Sequence, residues 1–381
     1  MLFMPTAQQI KPIESTPPIL GKAMPGVHAM CGIFAIAAIL FSGCAPTEST
    51  LPLADDSQSV RIIEANGRTM GTTYMVKLAN PPAELPDDWQ LVLDAELRNV
   101  NDQMSTYLES SEISRFNRSE STDWFPVSQE TADVVAAAQE ISEETGGAFD
   151  VTVAPLVNAW SFGPGKRTQE PPTKETIADL RKRIGYEHLS VQMSPPALRK
   201  AIPELSVDLS AIAKGHGVDR LVLVLKELNV EHAFVDIGGE VRLLGDRIDR
   251  PWGVGIQVPD GTPNEVVTAL PLSDAAIATS GDYRNYFDSD GERYSHTIDP
   301  RTGYPVKHDL ASVSVIAESC MLADGWATAI NVLGGEAGRV LAVERKMDVM
   351  LIRRQGDSYQ TTRTGIFETG LESLKPSKGT Q

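Results

Sequence analysis

Strand-like segments of this chain come in adjacent pairs, which constrains the fold more than any other feature of the sequence. Residues 60–78, VRIIEANGRTMGTTYMVKL, form two β-rich runs around Met70-Gly71 and predict a hairpin with a kink or bulge. The runs AFVDIGG and EVRLLG follow each other around a Gly-Gly turn. Strands joined by such short turns run antiparallel. The sequence therefore predicts an α+β fold, with mostly antiparallel sheet and packed helices in a single globular body.

Helices are predicted where apolar residues recur at helical spacing. These segments are residues 88–104, 131–145, 173–184, 211–228, 318–334 and 336–346. The polar stretch MSTYLESSEISRFN is predicted to be a loop that carries Tyr107. The stretch AFDVTVAPLVNAWSFG is predicted to be strand-like, and WGVGIQV is predicted to be an edge strand.

The N-terminal region has the pattern of an exported lipoprotein. The apolar run CGIFAIAAILF has the length of a signal-peptide hydrophobic region and is too short to span a bilayer. It is followed by Ser-Gly-Cys44, which resembles a lipoprotein cleavage site, although Phe41 stands where a small aliphatic residue is usual. A buried helix is disfavoured because a Pro, Ser, Thr and Asp tether follows. We predict a signal peptide over 1–43, a tether over 44–59 that begins at lipidated Cys44, and one domain over 60–375.

Charge and cysteine content limit the partners of this domain. The formal net charge of -17 argues against nucleic acid, because binding its backbone requires a basic surface. A phosphate ligand would have to be met locally, by a metal ion or a helix N-terminus. If Cys44 is lipidated, Cys320 is the remaining cysteine of the exported body, so no intramolecular disulfide is expected and stability must come from the core.

His296 lies in the segment ERYSHTIDPRTGYPVK, which contains too many turn-forming residues for a helix. We expect an ordered loop at the end of a short strand, a place where scaffolds present functional side chains. Between Ser295 and Thr297, His296 is a poor candidate for a core residue, and its usual pKa suits proton transfer near neutral pH. The alternative is a histidine that only forms hydrogen bonds within a turn.

Lys214 lies near the start of the predicted helix AIAKGHGVDRLVLVLKEL. Ser210 is predicted to be its N-cap. Unpaired backbone N–H groups at a helix N-terminus, together with an ammonium group, can bind phosphate. The alternative is an ordinary solvated lysine. The segment GHGVDR lacks the last glycine of the dinucleotide fingerprint, so a Rossmann domain is rejected.

Asp324 and Thr328 are four residues apart in the predicted helix ESCMLADGWATAINVLG. They share one mostly apolar face, where a carboxylate needs a partner. Two oxygen ligands at this spacing, completed by substrate phosphate and a backbone carbonyl, suit Mg²⁺. The alternative is a carboxylate that caps a neighbouring loop.

Taken together, ordered segments from about residue 70 to 333 resemble the FAD:protein FMN transferase family, the ApbE-type lipoproteins. The resemblance is carried by MGTTY, MSTYLESSEISRFN, GGAFDVTVAPLVNAWSFG, VDLSAIAKGHGVDRL, VDIGGEVRLLG, ATSGDYRNYF, YSHTIDPRTGYPV and ADGWATAINVLG. It implies an α+β fold related to the tunnelling folds. Matched residue by residue, it implies FAD contacts from Met70, Tyr107, Ala148, Phe149, Asp150, Asp208, Lys214 and Ile298. It also implies Mg²⁺ ligands from Asp324, the Thr328 hydroxyl and the Ala211 carbonyl, with His296 as the catalytic residue.

The resemblance implies Mg²⁺-dependent transfer of FMN from FAD to a threonine or serine hydroxyl of an acceptor protein, with release of AMP. The family's acceptors are subunits of redox-driven ion pumps with a short Ser/Thr-rich motif. Its members usually stay anchored by lipid to the inner membrane, facing the periplasm. Two alternatives remain: an FAD pyrophosphatase that yields FMN and AMP, and a flavin-binding lipoprotein without activity. In the family, a tyrosine at the position of Tyr107 favours transfer over hydrolysis.

Overall fold

The computed structural model describes residues 59–165, 168–262, 265–281 and 285–369. The predicted signal peptide, Cys44 and the tether as far as residue 58 lie outside these residues. The chain divides into two units, Met1–Ser57 and Gln58–Gln381, and the described residues belong to the second. Within this described part, no helix combines the length and apolar character needed to cross a membrane.

The helices of the described residues are α1 (Trp89–Met104), α2 (Glu112–Arg118), α3 (Gln129–Glu144), α4 (Ala154–Ala159), α5 (Lys174–Leu180), α6 (Ala213–Glu227), α7 (Cys320–Leu333), α8 (Gly335–Glu344) and α9 (Ile366–Thr369). The strands are β1 (Ile62–Thr69), β2 (Thr72–Ala79), β3 (Phe125–Pro126), β4 (Leu189–Met193), β5 (Pro196–Lys200), β6 (Ala233–Ile237), β7 (Glu240–Leu244), β8 (Trp252–Gln257), β9 (Val266–Leu272), β10 (Ala276–Gly281), β11 (Tyr286–Ser289), β12 (Glu292–Ser295), β13 (Ile298–Asp299), β14 (Tyr304–Pro305), β15 (Leu310–Ala317), β16 (Asp348–Gln355) and β17 (Ser358–Arg363).

An eight-stranded sheet, in the order β1-β2-β6-β7-β10-β15-β16-β17, forms the centre of the domain. Every neighbouring pair in it is antiparallel. The predicted hairpin of residues 60–78 is the β1–β2 pair, with its turn at Met70-Gly71, where both residues have positive φ. The predicted α+β fold with antiparallel sheet is therefore confirmed.

The two faces of this sheet are covered by different elements. On one face, α1 and α6 bury Leu93, Leu97, Leu221 and Leu225 against β2 and β6. On the other, β8 and β9 pair with each other and not with the main sheet. In β8, Trp252 and its alternate residues are buried while the glycines between them are exposed. Residues 252–257 are an edge strand, as predicted, but of this separate two-stranded sheet. The small sheet lies across a face of the main sheet because one side of β8 is continuously apolar.

For two segments the predicted secondary structure is wrong. The predicted loop after α1 contains α2, whose N-cap Ser111 accepts a hydrogen bond from the Ser114 backbone N–H at 3.0 Å. The predicted strand-like run after α3 forms a short 3-10 helix, Val151–Val153, followed by α4. There, Asp150 accepts from the Thr152 backbone N–H at 2.7 Å. In both segments a local cap outweighs the polar or β-branched composition that guided the prediction.

Candidate active site

A cavity of about 770 Å³ opens at the end of the main sheet near α6 and α7. Its walls come from the β1–β2 turn, the segment before α6, the β6–β7 turn, β8, β10, the residues after β12 and one face of α7. Its volume lies within the usual range for small-molecule and cofactor sites.

Most of the site residues predicted from the sequence line this cavity. They are Met70, Tyr107, Asp208, Ala211, Lys214, His296, Ile298, Asp324 and Thr328. Ala148, Phe149 and Asp150 are buried and are not among the lining residues. The fold thus brings together predicted residues from the β1–β2 turn, α6, α7 and the His296 segment.

Asp150 has a clear local role. Its carboxylate accepts hydrogen bonds from the backbone N–H and the hydroxyl of Thr152, both at 2.7 Å, and from the Tyr186 backbone N–H at 2.9 Å. Burial raises the pKa of Asp150. This carboxylate fixes the backbone that leads into α4. A contact between residues 148–150 and FAD stays a prediction.

The start of α6 differs from the prediction in one respect. The N-cap is Ile212, with no side-chain capping bond, and not Ser210. The Ser210 hydroxyl instead donates to Asp208 Oδ1 at 2.5 Å, and the Ser210 backbone N–H donates to the same oxygen at 2.9 Å. Because a carboxylate two residues earlier is a strong acceptor, Ser210 serves as a donor and not as a cap. Lys214 is nevertheless in the first turn of α6, as predicted.

Close contact between α6 and α7 brings Lys214 and Asp324 into the same part of the cavity. The Gly215 backbone N–H donates to Asp324 Oδ2 at 3.0 Å. Asp219, one turn later in α6, accepts from the backbone N–H groups of Cys320 and Met321 at 3.0 and 2.9 Å. The N-terminus of α7 is therefore fixed directly to α6.

Gly215 is required for this contact, because a Cβ atom there would lie 2.2 Å from the Cys320 carbonyl oxygen. We expect Gly215→Ala to lower the free energy of unfolding by about 1–3 kcal/mol, since the backbones must move apart. FAD binding should weaken as well, because the shift separates Lys214 from Asp324. Urea unfolding and FAD titration measure both effects. Gly253→Ala is the control, as its Cβ would meet no atom within 4 Å. The expectation would be contradicted if both variants had the same free energy of unfolding and the same FAD affinity.

Three buried or half-buried charges meet on the inner wall of the cavity. Lys214 Nζ lies 2.6 Å from Glu240 Oε1 and 3.7 Å from Asp324 Oδ1. Burial raises the pKa of Glu240 well above its usual value, although the Lys214 ammonium opposes the shift. Burial alone would lower the pKa of Lys214, but the Asp324 and Glu240 carboxylates outweigh it and raise that pKa. Lys214 is therefore a permanent cation at neutral pH.

The lining of the cavity fits a divalent cation. Among the described lining residues, the carboxylates of Asp208, Glu240 and Asp324 outnumber the single ammonium group of Lys214. This excess negative charge would repel an anionic ligand unless a cation came with it. Carboxylate, hydroxyl and carbonyl oxygens are the ligands that Mg²⁺ prefers, and Asp324 lines the same cavity as Thr328 and Ala211.

His296 lies directly after β12 and is half-buried in the cavity wall. Its Nδ1 atom is 3.0 Å from the Asn285 carbonyl oxygen, and its backbone N–H donates to the same oxygen at 3.1 Å. A carbonyl oxygen can only accept, so Nδ1 carries the hydrogen and Nε2 is the basic nitrogen. The predicted ordered loop after a short strand is confirmed.

An aromatic cluster supports the His296 segment. The Phe162 ring meets the His296 ring edge-on, with centroids 6.3 Å apart. The Trp160 indole N–H donates to the Gly303 carbonyl at 2.9 Å, and the Trp160 ring packs against Tyr294. These contacts anchor the His296 segment to the residues directly after α4. The imidazole is consequently held in one orientation towards the cavity.

The fold and the cavity together define a class of protein. It is an α+β protein with an oriented basic histidine, a permanent ammonium group and a carboxylate suited to a divalent cation around one ligand cavity, the elements that phosphoryl-group chemistry requires. Comparison with known proteins gives the family. The model of the ApbE family matches residues 70–351, and the chain belongs to this family.

Curated relatives are similar over most of their length. The FAD:protein FMN transferase of Vibrio cholerae is 44% identical over 325 residues, which cover 85% of this chain and 97% of that protein. The FAD:protein FMN transferase of Haemophilus influenzae is 38% identical over 341 residues, covering 88% and 99%.

Solved structures agree with this relationship. The flavin transferase ApbE from Vibrio cholerae superimposes with a TM-score of 0.75 at 42% identity, covering 81% of this chain and 99% of that one. The flavinyl transferase ApbE from Pseudomonas stutzeri gives a TM-score of 0.74 at 37% identity, covering 81% and 96%. The predicted family-type fold is thereby confirmed.

Glu240 is the main site residue that the sequence prediction missed. The motif Asp236-Ile237-Gly238-Gly239 predicts a tight hairpin, and Gly238 and Gly239 do form the β6–β7 turn with positive φ. The residue that follows this turn is 4% exposed and faces Lys214. The available signal was a charged residue directly after the Gly-Gly turn, at the first position of a predicted strand.

Proposed function

We propose that this protein transfers FMN from FAD to a threonine or serine hydroxyl of an acceptor protein and releases AMP. The observation that carries this proposal is the placement of His296 in one cavity with Lys214, Asp324 and Thr328. The relatives named as FAD:protein FMN transferases support the choice of donor and of a protein acceptor. FAD is accordingly a substrate, and the acceptor protein is the second one.

The reaction needs one bond to form and one to break. The acceptor hydroxyl oxygen attacks the phosphorus of the FMN half, the phosphoanhydride bond breaks, and AMP leaves with the bridging oxygen. His296 Nε2 accepts the hydroxyl proton, a contribution on the order of 100-fold or more. The Lys214 ammonium would pair with a negatively charged phosphate of FAD. The aromatic cluster of Trp160, Phe162 and Tyr294 keeps the His296 imidazole aligned.

Asp324, the Thr328 hydroxyl and the Ala211 carbonyl would hold Mg²⁺ in this proposal. When bound, Mg²⁺ would supply positive charge that offsets the charge of the pyrophosphate. The carboxylate of Asp324 is already oriented for this role by the Gly215 N–H. Met70, Tyr107, Asp208 and Ile298, which line the same cavity, would contact other parts of FAD.

A direct test uses an acceptor peptide with the family's Ser/Thr flavinylation motif. Incubated with the protein, FAD and Mg²⁺, the peptide should gain the mass of one FMN less one water. The same peptide with its threonine replaced by valine is the control and should gain nothing. An adduct on the valine peptide, or no adduct on either, would contradict attachment at the hydroxyl.

We infer from the sequence that the mature protein is held by lipid at Cys44 on the periplasmic side of the inner membrane, where redox-driven ion pump subunits would be its acceptors. Cys44→Ser should therefore release the protein from the membrane fraction, because the acyl attachment point is lost. Fractionation with a salt wash measures this. If Cys44→Ser stayed in the membrane after that wash, the anchor would be wrongly assigned. FMN transfer by the purified variant should be unchanged.

A further inference from the structure

Glu240 combines deep burial with incomplete pairing. It is 4% exposed and lines the cavity. One carboxylate oxygen, Oε1, pairs with Lys214, while the other, Oε2, is buried and has no hydrogen-bond partner among the described residues. A buried carboxylate of this kind is costly for a fold.

Asp219 shows what a structural carboxylate looks like at the same helix junction. It accepts two backbone N–H groups from the start of α7, one on each oxygen, and it also pairs with Arg242. Both of its oxygens are therefore satisfied within the fold. Glu240 has no comparable set of partners, so its burial calls for an explanation beyond local stability.

The position of the Lys214 ammonium determines what Asp324 can bind. Asp324 Oδ2 is already occupied by the Gly215 N–H, and its Oδ1 is 3.7 Å from Lys214 Nζ. A lysine side chain is flexible, and a movement of about 1 Å would bring Nζ into hydrogen-bond distance of Oδ1. In that position the ammonium would compete with a metal ion for the same carboxylate.

We propose that Glu240 is a positioning residue: it holds the Lys214 ammonium away from Asp324 and so keeps the Asp324 carboxylate available to a divalent cation. The 2.6 Å contact to Glu240, against 3.7 Å to Asp324, is the observation that carries this inference. It deepens the proposed function and rests on it, because Asp324 is taken there as the cation ligand.

The test is calorimetric titration of Mg²⁺ into the FAD-free protein, so that effects of Lys214 on FAD binding do not enter. Glu240→Gln keeps the size of the side chain and removes its charge. We expect Lys214 to move to Asp324 and the Kd for Mg²⁺ to rise about tenfold, within the usual range for coupled sites. Glu96→Gln is the control, because Glu96 forms a partly buried ion pair with Arg220 and neither residue lines the cavity. The Kd of this variant for Mg²⁺ should match the wild-type value.

A double variant separates the competition by Lys214 from other effects. In Glu240→Gln/Lys214→Met no ammonium competes for Asp324, so the Kd for Mg²⁺ should return to within about threefold of wild type, far below the tenfold effect expected of the single variant. This variant also carries the test if Glu240→Gln does not fold, since both charges of the pair are removed together. A double variant that still binds tenfold more weakly would overturn the proposal.

A crystal structure of Glu240→Gln distinguishes displacement of Lys214 from a simple change in net charge. The proposal requires Lys214 Nζ at hydrogen-bond distance from Asp324 Oδ1, and an unmoved Lys214 overturns it.

An unchanged Kd for Mg²⁺ in Glu240→Gln, alongside normal FMN transfer by the wild-type protein, would overturn the role of Glu240 and leave the proposed function intact. Failure of the wild-type protein to transfer FMN would instead overturn the proposed function.

Discussion

His296→Ala is expected to lower the rate of FMN transfer by about 100-fold or more while FAD affinity in the presence of Mg²⁺ stays within about threefold of wild type. The physical reason is that a base acts only as the hydroxyl proton leaves, whereas the phosphates are held before reaction by other groups. In the structure, the His296 ring contacts the Asn285 carbonyl and the Phe162 ring, while Lys214 and Asp324 lie together where α6 meets α7. Calorimetric FAD titration and a gel assay for fluorescent acceptor measure the two quantities.

His232→Ala provides a matched control for His296→Ala. His232 is also a half-buried histidine whose Nδ1 lies close to a backbone carbonyl, that of Asp246 at 2.9 Å, but it does not line the cavity. Its replacement should leave transfer unchanged. If His296→Ala transferred FMN at the wild-type rate, the histidine would be only a turn residue, and the base would have to be sought among Asp208, Asp299 and water.

Asp324→Ala is expected to impair both binding and transfer. Removing this carboxylate should weaken Mg²⁺-dependent FAD binding about 100-fold, since Asp324 would hold the cation whose positive charge offsets the negative charge of the pyrophosphate. Transfer should fall at least as much. The measurement is FAD titration with Mg²⁺ and with EDTA, where only the Mg²⁺ series should separate the variant from wild type.

Asp324→Asn distinguishes a loss of cation binding from a loss of stability. Asparagine can still accept the hydrogen bond from the Gly215 N–H, which in the native protein is 3.0 Å long, but it carries no charge for a cation. We expect its thermal stability to be close to wild type and its Mg²⁺-dependent FAD affinity to resemble that of Asp324→Ala. FAD affinity that stayed normal in both variants would remove Asp324 from the cation site and favour a flavin carrier without activity.

The sequence predicted those parts of the fold and the site that depend on local patterns. Paired strand-like runs predicted the antiparallel sheet, and apolar spacing located α1, α3, α6 and α7 to within a few residues. Asp324 and Thr328 could be placed on one helix face because their spacing alone fixes it. Lys214 could be placed at a helix start because the apolar residues at helical spacing begin just before it. His296 could be placed in a loop because the turn-forming residues around it exclude a helix.

The remaining features depend on contacts between distant segments or on local hydrogen bonds that composition does not reveal. Glu240 matters because β7 places it beside Lys214 of α6, and no sequence spacing indicates that meeting. The predicted N-cap of α6, Ser210, is wrong because its hydroxyl donates a hydrogen bond to the Asp208 carboxylate. In the same way, α4 replaced an expected strand because Asp150 caps the turn before it.

The measurement that tests the central claim most directly is AMP release by the wild-type protein with FAD and Mg²⁺, with and without the acceptor peptide. A transferase releases one AMP for each FMN attached, and very little AMP without the peptide, because the acceptor hydroxyl is the nucleophile. An FAD pyrophosphatase releases AMP and free FMN at the same rate in both reactions. We expect AMP to depend on the peptide and to equal the FMN adduct measured by mass spectrometry. Peptide-independent AMP with free FMN, and no adduct, would contradict the account.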